Sequence, residues 1–160
     1  MNNTLEKGLK LAKGPYSELA LRYSFLMRDL VEKCKQPGFT PADWAPLAKM
    51  VATNEFERIG NFREKVRWDQ YDDLLTGWGK STVWDFDVWR CTEGEHYAVI
   101  EMEEYATYPD RKDIYTSVSI HEYNADNKLR KLSIYLSKAE PLSSSNSHQW
   151  HLEEVAAQIT

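Results

Sequence analysis

The sequence predicts one α+β domain, in which three N-terminal helices pack against a curved sheet of mixed or antiparallel strands. Apolar residues recur at steps of three and four up to about residue 79, and at every second position from residue 83 to residue 137. Short turn sequences divide this second region at residues 93–94, 109–110 and 125–127. Strands joined by such short connections pair antiparallel, which makes the second half of the chain a sheet.

The first half contains three predicted helices and a hairpin. A stripe of apolar residues predicts a long amphipathic helix over residues 15–36. A second helix begins after the capping residue Thr40, and we expect it to be short or kinked because Pro46 has no backbone N–H to donate. Residues 54–65 are typical of a short irregular hairpin, and a third helix is predicted over residues 67–78.

The second half contains four predicted strands, at residues 83–92, 95–107, 113–124 and 128–137. Even-numbered positions carry the larger share of apolar side chains, so we expect the even face to lie toward the helices. In the last two strands, a left-handed residue at Asn127 would pair Ile120 with Leu132 and keep the apolar set together. A bulge in either of the first two strands would shift the alternation and bring its odd-numbered side chains to the inner face instead.

The chain of 160 residues has the size of one domain. We divide it into an N-terminal extension (1–14), the α+β domain (15–139) and a linker with a short C-terminal helix (140–160). Residues 1–14 lack the apolar core of a secretory signal. Cys34 and Cys91 show no metal-type spacing and are typical of reduced thiols, so a cytoplasmic location is expected.

Charge and hydropathy exclude two classes of partner. The formal charge is −5 and the pI is near 5.4, so the protein would repel a phosphate backbone and nucleic acid is not expected to bind. No stretch approaches the roughly 20 apolar residues of a membrane span. The 6 Trp and 9 Tyr residues supply large apolar surfaces of the kind that line pockets and interfaces.

The order of elements resembles the cone-shaped, cystatin-like fold of nuclear transport factor two. SnoaL-like polyketide cyclases, ketosteroid isomerase, limonene-epoxide hydrolase and scytalone dehydratase share this fold. The resemblance covers residues 15–137, and its most recognisable stretches are Phe-Glu-Arg-Ile-Gly at 56–60 and Tyr-Asn-Ala-Asp-Asn-Lys-Leu at 123–129. It implies a central pocket between helices and sheet, and often a homodimer formed through the outer sheet face. Enzymes of this group use acidic or tyrosyl groups for proton transfer, whereas other members only bind ligands.

The last predicted strand departs from the enzymes of this group. Many of them carry a carboxylate there, just before a tyrosine, and a second acid follows. This chain has Ile134 at the first of those positions and Ser137 at the second. An isoleucine cannot act as a general base, so this departure favours a binding protein over an enzyme.

Four residues are the candidates for proton transfer. Glu104 shares the parity of Met102 and could point into the open end of the cone, where partial removal from water suits a carboxylate to this role. Glu57 and Arg58 belong to the first hairpin, and Tyr23 could donate a hydrogen bond to a bound oxyanion. The alternative is that the acids are surface groups and that the tyrosine belongs to the core.

The predicted ligand-binding set is largely aromatic, and an ordinary aromatic core explains it about as well. Its members are Tyr16, Met27, Trp44, Phe56, Trp68, Tyr71, Trp78, Trp84, Phe86 and Met102. His148 and His151 have helical spacing but lack a third metal ligand, so neither a metal nor a cofactor is expected. We expect a small, apolar, cyclic ligand and, if the protein is an enzyme, an isomerisation, cyclisation or dehydration. The alternative is a non-catalytic ligand-binding or dimeric scaffold domain.

Two further expectations concern assembly and the C-terminal segment. The outer face is expected to form a homodimer, because it carries the apolar residues Trp89, Tyr97, Val99, Tyr105, Tyr115, Tyr123 and Tyr135. In the C-terminal segment, Leu152, Val155, Ala156 and Ile159 form one stripe if the segment is helical. A helix this short is only marginally stable in water unless it packs on another surface. We therefore expect it to dock over the pocket mouth or against a partner subunit.

Overall fold

The computed structural model describes residues 4–139, and the predicted linker and C-terminal helix lie outside them. The helical part consists of α1 (Leu5–Leu9), α2 (Pro15–Lys33), a 3-10 turn (Pro41–Trp44) that continues into α3 (Ala45–Ala48), and α4 (Trp68–Gly79). The strands are β1 (Glu57–Ile59), β2 (Lys65–Val66), β3 (Val83–Gly94), β4 (Tyr97–Thr107), β5 (Lys112–Tyr123) and β6 (Leu129–Lys138). The α+β prediction is confirmed.

The six strands form one mixed sheet in the order β2-β1-β6-β5-β4-β3. The four long strands pair antiparallel through short turns, as the sequence predicts. The short hairpin of β1 and β2 joins the free side of β6, where β1 runs parallel to it and Glu57 pairs with Lys131. The hairpin therefore lies at one edge of the sheet, where β1 contacts α4, while α2 packs on β3 and β4.

The helix boundaries follow local sequence signals. At the start of α2, the Glu93 carboxylate accepts hydrogen bonds from the backbone N–H and the hydroxyl of Ser17, at 2.8 and 2.6 Å, and so ties the helix to the end of β3. The segment around Pro46 is reduced to a 3-10 turn and one α-helical turn, as expected from the missing donor. The short helix α1 was not predicted; it packs on α2 where Gly8 lies against the Phe25 ring.

The register between β5 and β6 differs from the prediction by one residue. Asn127 is left-handed, with φ at 56°, but His121 rather than Ile120 pairs with Leu132. The cause is a register shift between Glu122 and Tyr123, which turns β5 over relative to β6. Odd-numbered side chains of β5 therefore point inward, whereas even-numbered ones do so in β6. The predicted even face was wrong for β5.

The inner faces of β3 and β4 follow the predicted parity over most of their length. Trp84 and Phe86 of β3, like Ile100 and Met102 of β4, are buried against the helices. A bulge after Val88 then brings Cys91 inward. Two residues assigned to the outer face, Tyr115 and Tyr123, instead point inward because β5 is turned over. Between residues 4 and 139, each helix is too short or too polar to traverse a lipid bilayer.

Candidate functional site

A cavity of about 310 Å³ lies between the helices α2 and α4 and the inner face of the sheet. The helices contribute Tyr23, Ser24, Met27, Tyr71, Leu74, Leu75 and Trp78, and the hairpin contributes Arg58. The long strands contribute Trp84, Met102, Glu104, Ala106, Tyr115, Ser119, His121, Leu132, Ile134 and Leu136, and Tyr108 follows β4. We call the partly exposed group Leu74, Trp78, Tyr108, Tyr115 and Leu136 the mouth.

We call the polar end of the cavity the floor. It consists of Tyr23, Tyr71, Ser119, His121 and Arg58. The first four are buried, and the Arg58 side chain is 20% exposed. The rings of Tyr23 and His121 meet edge to face with centroids 5.7 Å apart, and the Arg58 guanidinium carbon lies 5.7 Å from the centre of the Tyr71 ring. Elements distant in sequence therefore bring five polar side chains to one place.

Several polar atoms of the floor lack a hydrogen-bond partner within residues 4–139. They are Tyr23 Oη, Ser119 Oγ, His121 Nδ1 and Arg58 Nε, all of them buried. The Tyr71 hydroxyl lies 3.9 Å from Sδ of Met27, and its other polar neighbours are the Tyr23 hydroxyl and the Arg58 guanidinium. Because buried polar groups in folded proteins are nearly always hydrogen-bonded, this concentration of unpartnered atoms distinguishes the floor from ordinary core.

Burial sets the protonation of these groups. It raises the pKa of Tyr23 well above its usual value, and the neighbouring Tyr71 adds to the effect; burial likewise raises the pKa of Tyr71. Burial lowers the pKa of His121 to about 3, so its imidazole is neutral near pH 7. Both phenols remain protonated and can donate hydrogen bonds, so the floor offers mainly neutral donors beside one guanidinium.

The charge of Arg58 is balanced from outside the cavity. Its Nη1 donates to Glu64 Oε1 at 3.0 Å. Burial alone would raise the pKa of Glu64, but hydrogen bonds from the backbone and from Arg58 outweigh that effect and hold the pKa below its usual range. The carboxylate thus stays ionised and keeps the guanidinium in place, which leaves the buried Nε for another acceptor.

Glu104 is the one carboxylate in the cavity wall among the described residues. Its Oε2 accepts a hydrogen bond from Nε1 of Trp84 at 2.9 Å, across the β3–β4 pair. The indole fixes one carboxylate oxygen, and within residues 4–139 the other oxygen is left for a molecule in the cavity. A carboxylate held in this way can accept a proton from a molecule in the cavity.

The mouth is ordered by a second set of contacts. Nε1 of Trp78 donates to the Tyr108 hydroxyl at 3.4 Å, and the Tyr115 hydroxyl donates to Asp113 at 3.2 Å. Hydrogen bonds from Lys138, and then from Arg111, hold the pKa of Asp113 below its usual range. The aromatic side chains at the mouth are therefore fixed on their outer side by a charged cluster.

The structure brings most of the proton-transfer candidates together. Glu104, Tyr23 and Arg58 line the same cavity. Glu57 does not; its side chain is 44% exposed, with Lys65 Nζ at 3.9 Å. The physical reason is strand alternation, since neighbouring residues of β1 point to opposite faces and Arg58 takes the inner one.

The predicted ligand-binding residues divide into two groups. Met27, Tyr71, Trp78, Trp84 and Met102 line the cavity. The others do not: Trp44, Phe56, Trp68 and Phe86 are buried in the core, and Tyr16 lies elsewhere, bonded to His96 at 2.8 Å. Phe56 and Trp68 pack behind Tyr71, with ring centroids 5.8 and 6.2 Å from it, and so support the wall rather than form it.

Two floor residues, Ser119 and His121, were missed by sequence reasoning. Both lie on β5, whose inner face was assigned to the wrong parity. Ser117, Ser119 and His121 form a polar stripe at two-residue spacing on the odd-numbered face, and the prediction that the even face lies inward places that stripe outside. The bulge after Glu122 places this stripe inside.

Known proteins resemble this chain in structure rather than in sequence. No family model and no curated protein matches the sequence. A solved structure named as a SnoaL-like polyketide cyclase, from Shewanella putrefaciens, superposes with a TM-score of 0.62 at 10% identity, over 85% of this chain and 90% of that chain. An LEH-like epoxide hydrolase of Mycobacterium tuberculosis gives a TM-score of 0.57 at 9% identity, over 74% of this chain and 83% of that chain.

A third similar structure is an NTF-2 like protein of unknown function from Burkholderia xenovorans, with a TM-score of 0.55 at 16% identity. It matches over 86% of this chain and 96% of that chain. At such identities the likeness is one of fold. The chain therefore has the NTF2-like cone fold, and the resemblance noted in the sequence is confirmed at that level.

Proposed function

We propose that the cavity binds a small, mainly apolar, cyclic molecule and holds one oxygen acceptor of that molecule at its floor. The observation that carries the proposal is the group of buried, unpartnered polar atoms on Tyr23, Ser119, His121 and Arg58. Each such atom costs roughly 1–3 kcal/mol if nothing bonds to it, which is hard to reconcile with a purely structural role for all of them. A ligand oxygen would recover part of that cost.

The size and lining of the cavity support a ligand of about two fused rings. An apolar cavity of about 150 Å³ holds one benzene molecule, and the cavity here is twice as large, at about 310 Å³. Its walls are formed by Met27, Leu75, Trp78, Trp84 and Met102, which suit a flat apolar body. Polar recognition is then confined to the floor and to Glu104.

The proposed reaction is proton transfer by Glu104. Its carboxylate would take a proton from a carbon next to the ligand's carbonyl group, and the electron pair of that C–H bond would move to the carbonyl oxygen as an enolate. The phenol of Tyr23 and the guanidinium of Arg58 would stabilise that oxygen by hydrogen bonding. Return of the proton to a different carbon gives an isomer and restores the carboxylate.

The second candidate function is binding without catalysis. It is favoured by one observation, the apolar wall that β6 presents with Leu132, Ile134 and Leu136. Ile134 stands where enzymes of similar fold often carry an acid, so this wall offers no second group for proton relay. In this case the same cavity would store or transport its ligand.

Binding is tested with a matched pair of compounds, 2-acetylnaphthalene and 2-ethylnaphthalene, which differ in the carbonyl oxygen. We expect the ketone to bind more tightly in a titration calorimeter. Tyr23→Phe should weaken binding of the ketone by about 1 kcal/mol, or roughly fivefold, and should leave the affinity for the hydrocarbon unchanged. Tyr135→Phe on the outer face is the control. Equal affinities of the two compounds for the wild type would refute the proposed floor contact.

Catalysis is tested by deuterium exchange at the methyl group of 2-acetylnaphthalene in D2O, followed by NMR. An enzyme that abstracts this proton accelerates the exchange, and Glu104→Gln should reduce the acceleration by about 10²-fold or more. Glu57→Gln is the matched control and should have no effect, because Glu57 lies outside the cavity. Bound ketone without accelerated exchange would select the non-catalytic function.

A further inference from the structure

Ser119 and His121 form a polar pair on the inner face of β5, surrounded by apolar side chains. They lie two positions apart on the strand, so their side chains point to the same side about 7 Å apart, and they are 6% and 2% exposed. The residues that pair with them on β4 and β6 are all apolar: Ala98, Ile100, Leu132 and Ile134. The adjacent strands therefore offer no side-chain partner to Ser119 Oγ or His121 Nδ1, which are buried without one in the described part of the chain.

The carbonyl oxygen proposed for the floor does not satisfy this pair as well. A carbonyl oxygen has two lone pairs, and Tyr23 and Arg58 supply two donors for them. The Tyr71 hydroxyl neighbours both of these groups, so the donors for the carbonyl are gathered on the side of the helices and the hairpin. Ser119 and His121 are left on β5, and a second polar group of the ligand would have to meet them.

His121 determines what kind of group this is. Burial lowers the pKa of His121 to about 3, so its imidazole is neutral near pH 7. In either tautomer a neutral imidazole has one nitrogen that carries a hydrogen and one that can only accept. The second group must therefore be able to donate a hydrogen bond, which a further carbonyl, an ether or a carboxylate does not do.

A hydroxyl group fits the pair better than an amine. A hydroxyl can donate to the imidazole of His121 and accept from the hydroxyl of Ser119 at the same time. An aliphatic amine is protonated near pH 7, and it would bring a second positive charge into a buried site that already holds the Arg58 guanidinium. The chemistry of the pair therefore favours an alcohol.

The position of the pair indicates where the ligand carries this hydroxyl. The rings of Tyr23 and His121 meet edge to face, with their centroids 5.7 Å apart. Because Tyr23 is a proposed donor to the carbonyl oxygen, the two polar groups of the ligand lie side by side at the floor. A hydroxyl on the carbon next to the carbonyl group has this arrangement.

We propose that the ligand is an α-hydroxyketone, with its carbonyl oxygen at Tyr23 and Arg58 and its hydroxyl group between Ser119 and His121. This inference rests on the proposed binding of a ligand oxygen at the floor, and it narrows the ligand class from ketones to hydroxyketones. It concerns recognition and holds whether the cavity catalyses a reaction or only binds.

The test compares two ketones that differ in one atom group, 2-(hydroxyacetyl)naphthalene and 2-(fluoroacetyl)naphthalene, by titration calorimetry with the wild type. Fluorine is close to a hydroxyl group in size, accepts hydrogen bonds poorly and donates none. We expect the hydroxyketone to bind roughly fivefold more tightly or better. Equal affinities would mean that water serves Ser119 and His121 as well as the ligand does, and would overturn the proposal.

Variants locate the preference for the hydroxyl group. His121→Leu should bring the ratio of the two affinities close to one, and Ser119→Ala should lower it. Ser137→Ala, at an exposed serine of β6, is the matched control and should keep the wild-type ratio. A full preference in either His121→Leu or Ser119→Ala, checked for folding by circular dichroism, would place the hydroxyl group elsewhere and overturn the proposal.

The pair 2-acetylnaphthalene and 2-ethylnaphthalene separates this inference from the proposed function. If the wild type prefers the ketone of this pair but does not distinguish the hydroxyketone from the fluoroketone, the floor binds a carbonyl oxygen and the hydroxyketone inference alone is wrong. If the wild type binds acetyl and ethyl compounds equally, the floor contact is refuted and this inference fails with it.

Discussion

Strands β5 and β6 bound the same cavity but present opposite chemistry to it. Inner residues of β5 are polar, with Ser119 and His121 at the floor, whereas β6 presents Leu132, Ile134 and Leu136. Ser119 Oγ and His121 Nδ1 find no partner within residues 4–139, and the β6 side chains have no polar atoms to satisfy. The inner side chains of β6 can stabilise the fold by burial alone, whereas the polar groups of β5 cost stability unless, as proposed above, a ligand bonds to them.

The largest effect on the free energy of unfolding is expected from β6. Leu132 is 2% exposed, and Leu132→Ala should lower the free energy of unfolding by about 2–5 kcal/mol, through lost burial and the space left behind. Ser119→Ala, directly across the strand pair from Ile134, removes an unpartnered hydroxyl and should change stability by less than about 1 kcal/mol. Urea denaturation measures both. Similar losses for the two variants would erase the distinction between the strands.

A smaller, pH-dependent effect is expected from His121. Burial lowers its pKa from the ordinary 6.5 to about 3. Below pH 6.5 the unfolded chain therefore binds a proton at His121 that the folded protein does not bind. Stability from this source is complete above pH 6.5 and declines as the pH falls toward 3. Between pH 6.5 and pH 5 the loss should be about 2 kcal/mol.

The matched variant for this titration is His121→Leu, which removes the group without leaving a large space. Its unfolding free energy should fall less than that of the wild type between pH 6.5 and pH 5, and it should bind 2-acetylnaphthalene more weakly. Parallel pH profiles for the two proteins would show that His121 is not buried in its neutral form.

The outer faces of the same strands should affect assembly and hardly affect the fold. Tyr135 of β6 is 56% exposed and pairs with Val118 of β5 on this face. We propose a homodimer through it and expect light scattering at micromolar concentration to give twice the chain mass of 18.7 kDa. Tyr135→Glu should yield the monomer, while the turn variant Asp126→Asn stays dimeric. A wild type that remains monomeric on concentration would refute the dimer.

Sequence reasoning succeeded where the more apolar face of an element is also the one that packs against the rest of the domain. In β6 the even positions, Leu132, Ile134 and Leu136, left no ambiguity, and α2 was equally clear from its stripe. In β5 the more apolar even face, with Val118 and Ile120, lies outside, because a register shift after Glu122 that no local pattern marks turns the strand over. The same shift concealed Ser119 and His121 as floor residues.

Aromatic residues show a second limit of sequence reasoning. Trp84 and Phe86 have the same inward parity and similar composition, yet the first lines the cavity and the second is fully buried in the core. Whether such a side chain lines the cavity depends on its position along the strand. That position relative to the cavity is set by how the sheet packs against α2 and α4. Residue type and periodicity predict which side chains point inward, but not which of them lie beside empty space.

The central claim, that the unpartnered atoms of the floor receive a ligand oxygen, is tested most directly by a crystal structure of the protein with 2-acetylnaphthalene. The account predicts electron density for the rings between Met27, Trp84 and Met102, with the carbonyl oxygen within about 3.2 Å of Tyr23 Oη or Arg58 Nε. Density with the carbonyl turned toward the mouth, or rings bound outside the cavity while the floor atoms hold only water, would contradict it.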